Sequence, residues 1–387
     1  MDMRRSEVTP ENQARYLRRG DYARVTAADR PGVAQPVPLR EVPAQPWGRI
    51  LLGAFVLFAL LIGAWEWYWR AWGAVPDYYN SNAEWAQQRR RIDNGEGNKT
   101  VLIGSSRVLF DVQLPVWEKL TGERPIQLAL EGTTPLVTME NLAADPNFTG
   151  HLLVGVAPDL FFSGFAYRGD ALKYFQKETP SQRVGNWLSR ELIEPYFAFF
   201  DEDFALPKVA KRQDWPARPG VPNRLDVRKL SVSEADRNTH MWDKLITDVQ
   251  YRDLARSIWA QHLNGPPPPD MDTPEKVAKS IDTQIQRAVD AMVKLRAHGV
   301  KVVFVRPPNA GPYHEFDEHV FPRAKTWDVL LAKTGAPGVH FMDHPELQGF
   351  DPPEWSHLKP DDAVRYTAAL VPLVERGFAE NAVPSVK

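Results

Sequence analysis

The stretch "WGRILLGAFVLFALLIGAWEWYWRAWG" restricts the fold of this chain more than any other, because residues 50–65 are about sixteen uncharged, mostly apolar positions in a row. With Trp47 and Gly48 ahead of them, they are long enough to cross a bilayer as a helix. A buried core helix has no need of aromatic belts, yet Trp47 stands at one end and Trp65, Trp67, Tyr68, Trp69 and Trp72 at the other, with Glu66 and Arg70 at headgroup level. A cleaved signal peptide fits less well. The apolar run starts late in the chain, and no small-residue cleavage site follows it closely.

The flanks give the orientation. Arg30, Arg40 and Arg49 precede the span, whereas only Arg70 lies close behind it until Arg89, Arg90 and Arg91, so the positive-inside tendency puts the N-terminus in the cytoplasm. Residues 1–46 are polar, carry Pro31, Pro36, Pro38, Pro43 and Pro46, and show no sustained periodicity, which predicts a largely disordered cytoplasmic tail. The expected plan is then a tail at 1–46, one transmembrane helix at 47–72, a linker at 73–97 and a periplasmic domain at 98–387, anchored in the inner (cytoplasmic) membrane.

Charge and cysteine usage narrow the function classes. Lys and Arg number 47 against 49 Asp and Glu, a balance that gives no reason to expect a nucleic-acid partner. The chain has no cysteine, which excludes disulfides, thiolate metal sites and a cysteine nucleophile.

Past the span, short apolar runs alternate with helical patterns. "KTVLIG", "PIQLAL", "HLLVGV", "VKVVFV" and "VHFMD" read as five strands, the last ending at Asp343; helices are expected near 108–120 and 135–144, within 274–300, and near 321–333 and 360–378. In the third of these helices Val277, Ile281, Ile285, Ala288, Met292 and Leu295 share one face, and Gly299 supplies the stop. The alternation predicts a three-layer α/β/α domain around a parallel sheet of flavodoxin-like winding, with ligands at the carboxyl edge of its strands. Between about 158 and 270 the pattern lapses into a long insertion, helical in pieces and ending in "GPPPPD".

Two sites at that carboxyl edge carry chemistry. "VLIGSSRVLF" places Ser105 and Ser106 directly after the first strand, where a tight turn exposes a hydroxyl. Such a serine needs a base. "DPPEWSHLKPDD" offers His357 just before the last helix, with Glu354 three residues ahead to accept from Nδ1 and fix the tautomer. Asp351 is the alternative partner. Asp343 with His344 forms a second, less well placed acid and histidine, and His314, Glu315, Asp317 and His319 in "YHEFDEH" have ligating atoms but read better as a solvated helix start than as a metal site. Arg306 closes the fourth strand and Arg107 the first helix turn, so each guanidinium is a candidate for holding substrate or for an ordinary ion pair.

This order of motifs resembles the SGNH (GDSL-type) hydrolase superfamily, and "GSSR" in place of Gly-Asp-Ser-Leu looks closest to its membrane-anchored branch of DltD-like and polysaccharide O-acetylation proteins. The resemblance covers roughly residues 98–160 and 275–380. It implies Ser106 as nucleophile, Ser105 in the usual aspartate position, His357 as general base, Glu354 in place of the family's aspartate, and the backbone N–H groups of Ser106 and Gly132 as the oxyanion hole. The third block departs from the pattern: "VGVAPDLFF" keeps only Gly155 and Asp159 and lacks the asparagine. What the resemblance implies is a serine esterase or O-acyltransferase acting on an exported polysaccharide, with an acyl donor, a membrane-protein partner, and neither cofactor nor metal. The rival expectation is an inactive scaffold subunit of a membrane complex, whose insertion offers Phe161, Phe162, Phe165, Tyr196, Phe197, Phe199 and Phe200 for contact.

Overall fold

Alternating side chains along five short strands set the layers of the fold. The computed structural model describes residues 45–212 and 227–380 and divides into two units, residues 1–60 and 61–387. From Trp47 on, the described part of the first unit belongs to helix α1, Trp47–Trp72. Among the described residues, α1 is the one helix long and apolar enough to cross a membrane, with a mean hydropathy of 2.1 over its most apolar window. The expected tail lies, up to residue 44, outside the described residues.

In the second unit, β1 (Val101–Ile103), β2 (Ile126–Gln127), β3 (His151–Gly155), β6 (Lys301–Arg306) and β7 (Gly338–His340) form one parallel sheet in the order β2-β1-β3-β6-β7. Counting only its own five strands, that is the doubly wound, flavodoxin-like order 2-1-3-4-5. The antiparallel pair β4 (Ser231–Ser233) and β5 (Thr239–Met241) stands apart within the insertion.

Helices α2 (Asn82–Arg91), α3 (Ser106–Asp111), α4 (Leu114–Thr121) and α5 (Leu136–Ala143) precede the insertion. Within it run α6 (Pro158–Phe161), α7 (Asp170–Lys177), α8 (Pro180–Leu192), α9 (Leu206–Lys211), α10 (Lys244–Thr247) and α11 (Val249–Leu263); α12 (Pro274–Ala297), α13 (Gly311–Val320), α14 (Trp327–Thr334) and α15 (Pro360–Glu380) follow. Val101, Ile103, Leu152, Val154, Val302 and Phe304 point to one face and pack with Trp85 of α2, Leu136 and Met139 of α5, Ile285 and Met292 of α12 and Leu330 of α14. Leu102, Leu153, Val303 and Val305 point to the other, meeting Leu109 of α3, Trp117 of α4 and Tyr366, Leu370 and Val374 of α15. The period of two along each strand thus produces the three layers.

Several expectations change in detail. Residues 73–97, expected as a linker, fold onto the domain: Trp85 is fully buried and its Nε1 donates to the Leu128 carbonyl at 3.0 Å. The helix expected over 108–120 is two helices, because Val112 and Gln113 are extended and Pro115 opens α4. The last strand stops at His340, and Phe341–Asp343 is a 3-10 turn. The insertion contains the unforeseen β4–β5 hairpin, from which Arg237 donates to the carbonyls of Gln127 and Ala129 at 2.7 Å each. That guanidinium covers backbone acceptors on the edge strand β2.

Candidate functional site

Glycines at two neighbouring strand ends create the seat for the first motif. A Cβ on Gly104 would lie 2.4 Å from Val108 Cγ2, and one on Gly155 2.0 Å from the same atom. Only hydrogen at both positions lets the first turn of α3 rest directly on the ends of β1 and β3. Ser105 is the buried N-cap of α3 and Ser106, partly exposed, its first residue. The first N–H groups of any helix lack an intrahelical acceptor, so the Ser106 amide is of the kind an oxyanion can use. The Leu130 N–H donates to the Gly104 carbonyl at 2.9 Å, which carries the loop after β2 alongside this turn. Gly132 lies two residues on, at φ +56°, in a left-handed conformation that suits glycine.

The second motif is built by the loop ahead of α15. Glu354 is fully buried, and its Oε1 accepts from the His357 backbone N–H at 2.6 Å and from His357 Nδ1 at 2.8 Å. Oε2 accepts from Trp259 Nε1 of α11. Burial alone would raise the Glu354 pKa, but His357 and the hydrogen bonds from His357 and Trp259 outweigh it and hold the carboxyl below its ordinary value. An ionised carboxylate only accepts, so Nδ1 carries a proton, and in the neutral ring the lone pair is then on Nε2. Asp351 is exposed and takes no part in this pair.

Helix α3 and this loop are joined at several points. The His357 ring lies 4.4 Å from that of Phe110, four residues after Ser106 and therefore on the same side of the helix. Arg107 Nε donates to Ser356 Oγ at 3.3 Å, and the Leu358 N–H donates to Asp111 Oδ1 at 2.9 Å. His357 Nε2 is buried with no hydrogen-bond partner, so it makes no bond to Ser106. The acid–base half of the constellation is assembled; the base–hydroxyl half is not closed.

Sequence reasoning missed three residues around the pair. Trp259 comes from the insertion, and Arg256, one turn earlier on α11, donates to the Pro353 carbonyl at 2.8 Å, so α11 braces the Glu354 loop from outside. Asp111, alone as an acid in the apolar run "VLFDV", is fully buried with Oδ2 unpartnered. Burial pushes its carboxyl up to about 7, against the opposing influence of His357, the Leu358 N–H and Arg107. A lone acid among strand and helix formers was the available signal.

The arginines are committed elsewhere. Arg107 and Arg306 are each 2% exposed, and both donate to Asp317 Oδ2, at 3.4 and 2.9 Å. Asn309 donates to the same oxygen at 2.8 Å, and Asp159 accepts from the Tyr313 hydroxyl at 2.6 Å with Arg107 3.9 Å away. Both guanidinium groups therefore sit in a buried ion-pair network rather than open to a ligand. Asp317 belongs to that network and departs from the solvated helix start expected for "YHEFDEH", whereas Glu315 and His319 are exposed on the helix as expected, and His314 Nδ1 lies 3.1 Å from Asn309 Oδ1. Among the described residues, no group of three or more His, Asp or Glu side chains is placed to hold a metal ion. Asp343 is exposed and pairs with Arg323 at 2.6 and 2.8 Å, so it and the adjacent His344 stand outside the constellation. Of the aromatics in the insertion, Phe161 and Phe162 are core, while Phe165, Tyr196, Phe197 and Phe200 are exposed. Comparison of the sequence with protein-family models and with curated proteins gives no match.

Proposed function

We propose that this chain is a membrane-anchored, extracytoplasmic serine acyl-ester enzyme of SGNH type, an esterase or O-acyltransferase on an exported polysaccharide, with its N-terminus in the cytoplasm. The observation that carries the reading is the buried Glu354–His357 pair, packed through the His357 ring against Phe110 of the helix that Ser106 opens. In the proposed reaction Ser106 Oγ attacks the acyl carbon and its proton passes to His357 Nε2, while Glu354 stabilises the imidazolium. The N–H groups of Ser106 and Gly132 hold the oxyanion. Collapse expels the alcohol, protonated by His357, and leaves acyl-Ser106. Water or a sugar hydroxyl then takes the acyl group, and hydrolysis and transfer share every earlier step.

A second reading, an inactive scaffold of the same fold, is favoured by one feature: His357 Nε2 is closed to solvent and unpartnered. Turnover of p-nitrophenyl acetate by the purified full chain separates the two. Hydrolysis lost in Ser106→Ala and in His357→Ala supports the enzyme; an inert wild-type protein supports the scaffold.

A further inference from the structure

Helix α8 wears its amphipathic pattern inside out. Its N-terminus is well made, with Thr179 and Gln182 capping each other reciprocally and Pro180 at the first position. Yet none of its residues is buried. The side that meets the domain is polar: Arg190 donates to Glu84 Oε2 at 2.6 Å and to Gln87 Oε1 at 3.0 Å, Asn186 to Glu84 Oε1 at 3.4 Å, and Arg183 to Glu178 Oε2 at 3.0 Å. The side turned outward carries Val184, Trp187, Leu188 and Leu192, between 41% and 60% exposed and spaced as one helical face. Glu191 is the one charged residue in that arc, with Arg190 Nε 3.9 Å from its carboxylate.

A surface helix normally buries its apolar stripe in the protein and shows water its charges. The reverse arrangement calls for an apolar environment outside, and the chain that follows α8 says which. Arg70 Nη2 of α1 donates to the Tyr196 carbonyl at 3.0 Å, and Glu66 accepts from the Ala198 and Phe199 N–H groups at 3.0 and 2.9 Å. Trp65 Nε1 donates to the Phe204 carbonyl at 3.1 Å. The loop carrying the exposed Tyr196, Phe197 and Phe200 is thus bound to the aromatic end of the membrane-crossing candidate. Leu192 is four residues from Tyr196, at most about 14 Å of chain. Arg228 lies 4.6 Å over the Trp69 ring and Lys244 4.6 Å over that of Trp72, the cation and aromatic mixture of a headgroup layer.

From this we infer that α8 and the 196–200 loop form a second membrane contact, lying in the lipid–water interface of the bilayer that α1 enters, with Val184, Trp187, Leu188 and Leu192 toward the acyl chains. The occupant of this face is lipid. The inference rests on α1 spanning the bilayer and not on the serine chemistry. One consequence is that the domain is held against the membrane at two places, fixing which side of it faces the surface.

The absence of native cysteine makes the test direct. Single cysteines replace Val184, Leu188, Leu192, Gln182 and Leu57 in the full chain, each carrying a nitroxide in phosphatidylglycerol–phosphatidylcholine proteoliposomes. Collision with oxygen, which concentrates in lipid, is compared with collision with a water-soluble nickel chelate. The expected result is an oxygen-to-nickel ratio several-fold higher at 184, 188 and 192 than at 182, with 57 higher still. Nickel access at 184, 188 and 192 equal to that at 182, while 57 stays lipid-exposed, overturns the inference and leaves the span intact. Protection of those three positions from both agents overturns it in favour of a protein contact, and nickel access at 57 removes the premise.

Discussion

Glu354 accepts both from the backbone N–H of His357 and from its ring, so one carboxylate fixes the position, tautomer and orientation of the imidazole. If His357 is the base, Glu354→Gln misorients it and lowers kcat by about three to four orders of magnitude. Trp259→Phe removes one of several donors to Glu354 and costs roughly tenfold, with KM unchanged. Ester hydrolysis by the two variants checks the ranking; equal losses would mean that the pair serves structure alone. Asp111 gives a pH prediction. Its carboxyl titrates at about 7 in the fold against 3.8 ordinarily, so between those values the folded state holds a proton that the unfolded chain has released. Its contribution is therefore present at low pH and lost as pH rises through 7. Asp111→Asn should be less destabilised than wild type on going from pH 5 to pH 8, as read from urea midpoints at the two values. Glu354 and His357 were legible because their spacing is local. Trp259 was not, since it stands in the insertion and its partner lies 95 residues further along the chain.

Short elements gain their meaning from close packing, which a linear pattern records only as glycines. The contacts that a Cβ on Gly155 would make with Val108 predict that Gly155→Ala destabilises by about 1–3 kcal/mol, an overpacking cost. Val108→Ala in the same chain should recover part of the loss; an additive double mutant, measured by thermal unfolding, would contradict the account. The five strands and α12 were readable because apolar residues recur with periods of two and 3.6. The break at Val112 was not, because the Gln113 N–H that leaves the helix finds its acceptor in Thr367 of α15, 254 residues later. The hairpin was equally hidden. Leu114 and Gln113 hold it through Asn238 and the Thr239 carbonyl, contacts that no local propensity encodes. Trp85 belongs to the same class, a core residue in a stretch whose composition reads as linker.

At the scale of the molecule, the insertion links the end of α1 to the Glu354 loop. Trp69, Phe204, Met241, Trp242, Leu245 and Tyr251 form a separate apolar cluster that joins the end of α1 to the hairpin and to α11, and α11 in turn braces the Glu354 loop. The proposed site and the C-terminal end of the membrane-crossing candidate α1 are thus connected through one insertion. The proposed topology is tested by fusions: alkaline phosphatase joined after residue 80 should be active and one joined before residue 45 silent, and the reverse would place the domain in the cytoplasm. The most direct test of the central claim is mass spectrometry of the full chain after treatment with a serine-directed phosphonate. The account predicts a single adduct on the peptide carrying Ser106, abolished in His357→Ala. An adduct unaffected by loss of His357, or one confined to a different serine, would contradict it.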